Sequence, residues 1–190
     1  MTPPTLTTAR LVLRPATMAD FDAYAAFLAS PRARFMGGPH DRARAWDWFC
    51  NDTAQWALLD MGALVITHRG RAIGQVAVCG GPIFPEPELG WLLYDAADEG
   101  QGLAAEAAAA LRDWALGPRG LATLVSYVDP ANTASARLAE RLGARLDAGA
   151  KTPGGMATGV WRLAGAAAPM DPPEATHRQF TPPSVTGATP

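Results

Sequence analysis

Lysine is almost absent from this chain: Lys151 is the single lysine among 190 residues, and no run of basic residues occurs. The formal net charge is -2 at pH 7. Proteins that bind nucleic acid through its backbone neutralise the phosphates with clustered Lys and Arg. The sequence therefore predicts no nucleic-acid partner.

Cysteine is also scarce. Cys50 and Cys79 are the only two, and their spacing fits neither a metal site nor a disulfide framework. Cys79 lies in an apolar run with no activating His or Lys beside it, which favours a small core residue over a nucleophile. No residue set suggests a metal ion, so we expect none.

Long apolar segments are missing too. No stretch approaches the length of a membrane helix, and residues 1–4 lack the charged and apolar regions of a signal peptide. We therefore expect a cytoplasmic protein with no membrane partner.

The chain does contain enough apolar sequence for one packed domain. Apolar residues make up 48% of it and charged residues 18%, as in ordinary globular proteins. Residues 169–190 are instead crowded with Pro, Thr and Ser and show no apolar period. We predict a domain over residues 1–168 and a disordered tail over residues 169–190.

Hydrophobic periodicity predicts a mixed α/β (α+β) fold. Helical spacing, with Thr17 as an N-cap for the first helix, marks four segments: 21–28, 41–56, 103–116 and 132–142. Strand patterns mark seven: 10–14, 63–67, 72–78, 88–94, 121–128, 144–147 and 157–163. We expect a mostly antiparallel central sheet flanked by helices, with one right-handed parallel crossover from 88–94 to 121–128.

A glycine-containing turn opens the third predicted helix. Gly100 and Gly102 remove the Cβ atoms that would keep an anion from the free N–H groups of the helix N-terminus. The turn is therefore suited to a pyrophosphate, although a purely structural strand–helix connection is the alternative. It matches neither the dinucleotide-binding G-x-G-x-x-G pattern nor a Walker motif.

A second motif, VDPANTASARLAERLGA, ends at Ala144. Together with the glycine turn before it, this segment resembles the GCN5-related N-acetyltransferase (GNAT) superfamily, and more narrowly its RimJ/RimL-type branch. The opening TARLVLRPATMADFDAY and the PELGWLL that precedes the turn are similar to the same branch. The resemblance covers roughly residues 7–165.

The resemblance implies acetyl-CoA as cosubstrate and a strand–glycine turn–helix site for its coenzyme A part. Residues of the turn would bind the pyrophosphate, the preceding strand would pair with the pantetheine arm, and Asn132 would contact that arm or act as an N-cap, or both. The implied coenzyme-binding residues are Trp91, Leu92, Leu93, Glu99, Gly100, Gln101, Gly102, Leu103, Ala104 and Asn132. Glu99 departs from the Gln or Arg of the family pattern.

Two catalytic residues are predicted. Ala139 stands where many relatives carry a tyrosine acid, so Ser135, where the RimL-type branch has a serine, is the expected acid. Its alternative role is to satisfy a backbone amide at the helix N-terminus. Glu88 is the expected base and Glu86 the second candidate. Either carboxylate could instead be a solvated loop residue.

The acceptor predicted from these residues is a cationic primary amine, either a protein N-terminus or a small molecule. The negative charges of the Glu86 and Glu88 carboxylates would favour a positively charged acceptor. Part of an aromatic cluster is expected to line the acceptor site and more of it to be core: Trp46, Trp48, Phe49 and Trp56. An inactive acyl-CoA-binding module and an interaction protein are the alternative functions, and a homodimer is left open.

Overall fold

A computed structural model describes residues 2–155 and 158–164. Within these residues there are eight strands: β1 (Leu6–Thr7), β2 (Leu11–Arg14), β3 (Ala63–His68), β4 (Arg71–Cys79), β5 (Glu88–Leu93), β6 (Thr123–Val128), β7 (Arg145–Leu146) and β8 (Gly159–Ala164). The α-helices of the same residues are α1 (Phe21–Leu28), α2 (Arg42–Leu59), α3 (Leu103–Leu116) and α4 (Thr133–Arg141). Residue 157, predicted as the start of the last strand, and the predicted tail lie outside the described residues.

One sheet carries all eight strands in the order β1-β2-β3-β4-β5-β6-β8-β7. Every neighbouring pair is antiparallel except β5 and β6, which are parallel. They are parallel because α3 lies between them in the chain and carries it back across the sheet, as βαβ connections require. The predicted mixed, mostly antiparallel fold is confirmed.

The first helix, α1, covers the predicted segment, but Thr17 is not its N-cap. Thr17 caps a separate 3₁₀ turn, Met18–Asp20, and α1 follows from Phe21. The Asp20 carboxylate accepts a hydrogen bond from the Thr17 backbone N–H and pairs with Arg14, 2.7 Å from its Nη2. The Arg14 guanidinium is the main reason that the pKa of Asp20 is lowered.

The two faces of the sheet pack against different helices. One face joins α3 in the main core, where residues such as Ile66, Leu89 and Leu111 are fully buried. The other face is covered by α1 and the first half of α2 through a smaller core that contains Tyr24 and Phe49. The sheet thus separates an α3 side from an α1–α2 side, and both sides meet at β5.

The predicted aromatic cluster of α2 divides between core and surface. Phe49 and Trp56 are buried, and Trp56 packs edge-on against Trp114 with ring centroids 5.5 Å apart. Trp48 is partly buried, and Trp46 is 42% exposed. Among the described residues, no helix is long and apolar enough to cross a membrane.

Gly74 gives the sheet a sensitive stability test. A Cβ at this buried position would overlap the Leu92 carbonyl oxygen of the neighbouring strand. We expect Gly74→Ala to lower the free energy of unfolding by about 3 kcal/mol or more, since backbone would have to move. Chemical denaturation measures this loss.

Gly90→Ala is the matched control. Gly90 lies on the paired strand β5, and a Cβ there meets no atom within 4 Å. Its effect on stability should stay within about 1 kcal/mol. Equal effects of the two substitutions would contradict the register between β4 and β5.

Candidate active site

Strands β5 and β6 are hydrogen-bonded to each other at only one end. Their parallel ladder has a single register position, Glu88 opposite Val125. The Val125 N–H donates to the Pro87 carbonyl at 3.0 Å, and the Ser126 hydroxyl donates to the Leu89 carbonyl at 2.6 Å. Past this point the two strands separate, so that one backbone edge of residues 90–93 faces a groove instead of a neighbouring strand.

The groove has a volume of about 910 Å³. Most of the sequence-predicted site residues line it together: Trp91, Leu92, Leu93, Glu99, Gly100, Gly102, Leu103, Ala104, Asn132 and Ser135. Gln101 does not. Its side-chain amide donates to the Ala97 carbonyl at 2.7 Å, and its own carbonyl accepts from Arg10.

The glycine turn has the backbone shape that the sequence predicts for an anion site. Gly100 and Gly102 have φ values of 72° and 76°, in the left-handed region that side chains disfavour. Gly102 precedes α3 and offers no side-chain cap, so the first N–H groups of the helix keep their hydrogen-bonding capacity. A Cβ built at Gly100 meets nothing within 4 Å, which shows open space on that side of the turn. These features fit a phosphate group.

Helix α4 contributes the other wall of the groove. The Asn132 side chain caps the helix, its Oδ1 accepting from the Ser135 N–H at 3.2 Å. The Ser135 hydroxyl makes no hydrogen bond to any described residue and is therefore free to donate elsewhere. Ala139 is fully buried in the main core and does not line the groove.

Glu88 lies on the α1–α2 side of the sheet, opposite Cys79 of β4. The next β5 residue on this face is Gly90, which leaves the space beyond the carboxylate open. The pKa of Glu88 is raised to about 7. Burial is the main cause and the nearby charge of Asp52 adds to it, whereas a hydrogen bond from the Tyr127 backbone lowers the pKa. A carboxylate of this pKa can exchange a proton at neutral pH.

Asp52 is a candidate site residue that the sequence analysis missed. Its Oδ2 accepts from Gln75 Nε2 at 2.7 Å and lies 3.5 Å from the Tyr24 hydroxyl. Burial raises its pKa to about 6, although the Gln75 hydrogen bond lowers it. A signal was present in the sequence: Asp52 is three residues after Phe49 and four before Trp56, so a carboxylate interrupts the apolar stripe of α2.

Glu86, the second predicted base, is held in an ion pair. Its two carboxylate oxygens bind the Arg162 guanidinium at 2.5 and 2.8 Å. Arg162 Nε also contacts Asp147 at 2.7 Å. Glu86 is therefore a partly buried structural carboxylate rather than a solvated one, and Glu88 is left as the carboxylate with an open side.

Cys79 does not have the properties of a nucleophile. Burial, together with the charges of Asp52 and Glu88, raises the pKa of its thiol well above the ordinary value. The thiolate is thus disfavoured. Among the described residues, no group of three or more His, Cys, Asp or Glu is placed to hold a metal ion.

The comparisons with known proteins agree with this geometry. The family model of the acetyltransferase (GNAT) domain matches residues 10–145, more than half of the chain. The chain belongs to this family. It is therefore an acyltransferase, and the predicted resemblance to the GNAT superfamily is confirmed.

Solved structures support the same GNAT assignment. An acetyltransferase from Agrobacterium tumefaciens str. C58 is 51% identical with a TM-score of 0.82, over 86% of this chain and 95% of that one. A protein described as a GnaT-family acetyltransferase from Bordetella pertussis is 30% identical with a TM-score of 0.67, over 85% and 100%. RimJ from Mycobacterium smegmatis, in complex with CoA-disulfide, is 19% identical with a TM-score of 0.69, over 86% and 88%, and shares the GNAT fold. None of the curated proteins matches the chain significantly.

The raised pKa of Glu88 predicts how stability depends on pH. The folded chain keeps a proton that the unfolded chain releases between pH 4.5 and about 7, so Glu88 lowers the free energy of unfolding as pH rises through this window. Glu88→Gln removes the penalty. We expect this variant to be about 1–3 kcal/mol more stable than the wild type at pH 8, with the difference shrinking towards pH 4.5.

Glu86→Gln is the matched control, because it neutralises a carboxylate two residues away that is paired with Arg162. It should lose stability at pH 8 rather than gain it. Urea unfolding at several pH values measures both variants. A destabilised Glu88→Gln at pH 8 would contradict the half-buried environment of this carboxylate, which has no neighbouring cation.

Proposed function

We propose that the protein transfers the acetyl group of acetyl-CoA directly to a primary amine. The proposal rests on one observation: two parts of a possible active site, here called half-sites, meet at β5. A groove with an uncapped helix N-terminus lies along one edge of the strand, and a carboxylate with a pKa near neutrality lies on its α1–α2 face. The first half-site suits the coenzyme and the second suits an amine that must lose a proton.

Backbone groups supply most of the coenzyme site in this proposal. The N–H groups at residues 102–105 face the pyrophosphate, since the glycine turn leaves them accessible. The backbone groups of residues 91–93 that face the groove pair with the amide groups of the pantetheine arm, as one strand pairs with another. The Leu93 carbonyl is the exception, because it already accepts a hydrogen bond from Arg32. Bound acetyl-CoA supplies an activated thioester. A backbone N–H of β5 polarises its carbonyl oxygen.

Glu88 is the base of the proposal. An amine acceptor arrives mostly as an ammonium ion, and it becomes a nucleophile only after giving up a proton. Glu88 accepts this proton directly or through a water molecule, and its raised pKa makes it a stronger base than an ordinary carboxylate while much of it stays ionised near pH 7. Asp52 adds a second carboxylate on the same side of the sheet, which favours cationic acceptors over neutral ones.

Ser135 is the acid of the proposal. It lines the groove, and its hydroxyl has no partner among the described residues. The thiolate that leaves when the C–S bond breaks needs a proton or a hydrogen bond, and the Ser135 hydroxyl can supply it. Ala139 cannot share this role, because its methyl group has no proton to donate and is buried in the core.

Titration calorimetry with acetyl-CoA and with pantetheine tests the coenzyme half of the proposal. Binding that requires the pyrophosphate supports the site at the glycine turn. Release of free thiol with a panel of amines, including peptide N-termini and small polyamines, tests the transfer. Coenzyme binding without turnover on any amine would favour an inactive acyl-CoA-binding module, for which the absence of a tyrosine at Ala139 is the supporting observation.

Ser135→Ala separates catalysis from binding. We expect kcat to fall about 100-fold, the contribution of a positioned general acid. The Kd for acetyl-CoA should stay within about twofold, because the Ser135 N–H and its bond to Asn132 are retained. Thr133→Ala, an exposed change in the same helix turn, is the control. Lost coenzyme affinity with unchanged kcat would contradict the assignment.

The activity of the wild type should depend on pH through Glu88. Since the deprotonated carboxylate is the base, kcat/KM should rise as pH increases through about 7 and then level off. Glu88→Gln should lose most of this activity, about 100-fold or more at pH 8, and also the rise itself. A pH profile of kcat/KM measures both, and an unchanged rise in Glu88→Gln would exclude Glu88 as the base.

A further inference from the structure

Arg32 connects three parts of the coenzyme groove. It belongs to the 3₁₀ segment Pro31–Met36, which follows α1, and it lines the groove. Its Nη2 donates to the Leu93 carbonyl at 3.1 Å and to Glu99 Oε1 at 2.5 Å. The guanidinium therefore ties the end of β5 to the first residue of the glycine turn.

Glu99 needs such a partner. Its carboxylate is 57% exposed beside the turn, close to the place where the uncapped N-terminus of α3 would receive a phosphate. Two negative charges a few ångströms apart repel each other by about 1–4 kcal/mol in a partly solvated site. The Arg32 guanidinium offsets this repulsion because it contacts the carboxylate directly.

Two nitrogen atoms of the same guanidinium have no hydrogen-bond partner among the described residues. Nη1 makes no hydrogen bond to any described residue, and Nε is buried without a partner. An unsatisfied buried donor costs about 1–3 kcal/mol, so the packing of Arg32 does not account for its position. Four arginines line the groove: Arg32, Arg34, Arg137 and Arg141. Of these, Arg32 is the one that contacts the glycine turn.

We propose that Arg32 is a coenzyme-binding residue that acts in two ways. It cancels the charge of Glu99, and its Nη1 donates to an oxygen of the pyrophosphate held at the turn. A guanidinium suits both tasks, since its donors lie in a rigid plane and can serve two acceptors at once. This inference rests on the proposed coenzyme site and adds a side-chain cation to it.

A double-mutant cycle tests the inference by calorimetry with CoA and with pantetheine, which lacks the pyrophosphate and the phosphorylated adenosine of CoA. Arg32→Gln should weaken CoA binding about 10- to 100-fold and leave pantetheine binding unchanged. Glu99→Gln should leave CoA binding equal or tighter. The double variant should stay at least about fivefold weaker than Glu99→Gln, because the direct donor is still missing.

Arg42→Gln is the matched control. Arg42 also pairs with a carboxylate, that of Asp22 at 2.6 Å, but it lies on α2 and does not line the groove. Its CoA affinity should stay within about threefold of the wild type. Thermal melting of each variant checks that the 3₁₀ segment keeps its fold, and Arg32→Lys, which retains the charge, should recover part of the lost affinity.

Three results would overturn the inference. CoA binding by Arg32→Gln that equals the wild type would exclude any role for Arg32. Full recovery in the double variant would exclude the direct donor and leave only charge cancellation. A wild-type protein that binds no CoA would overturn the proposed function and, with it, this inference. The titration of the wild type alone distinguishes this outcome from the first result.

Discussion

The separation of β5 from β6 is the feature on which the rest of the site depends. Parallel strands normally satisfy each other's N–H and C=O groups along their whole length, but here the ladder stops after one register position. The Ser126 hydroxyl bonded to the Leu89 carbonyl marks the end of the contact. Apart from the Leu93 carbonyl, which accepts from Arg32, the strand edge beyond it keeps its hydrogen-bonding capacity for a ligand. Helices α3 and α4 supply the walls of the resulting groove. A fully paired β5 would leave no room for a coenzyme arm.

Arginine–carboxylate pairs hold the segments around this opening. Arg162 connects the loop before β5 to β8 through Glu86, and Arg32 connects the turn to the segment after α1 through Glu99. Arg71 pairs with Asp98, just before the turn, at 2.6 Å. Each pair is partly exposed, so each adds little to stability. Their effect is to fix the positions of these segments, because a guanidinium binds two oxygens in a fixed geometry. The chain contains a single lysine, so arginine supplies nearly all of its basic side chains.

Two carboxylates on the α1–α2 side have the opposite environment. Glu88 and Asp52 are half-buried without a neighbouring cation to hold them ionised, and the partial loss of solvent raises the pKa of each. This arrangement costs stability at neutral pH. Such a cost is common at sites that move protons. The contrast with Glu86, two residues from Glu88 and bound to Arg162, shows that the partner of a carboxylate, more than its place in the chain, decides its role.

Local sequence determined most of the secondary structure and the position of the glycine turn. The alternation in β2, the apolar spacing of α3 and the two glycines before it are properties of neighbouring residues, and they are readable one segment at a time. Tertiary structure decided what those segments bring together. Whether β5 pairs with β6 along its length, whether Glu86 or Glu88 is ion-paired, and which cation reaches Glu99 all depend on residues more than 35 positions apart. The environment of Asp52 also depends on tertiary structure, because its partners Gln75 and Tyr24 are 23 and 28 positions away in the chain. Hydrophobic periodicity acts over single turns and strands, whereas burial and charge pairing are set by the folded chain as a whole.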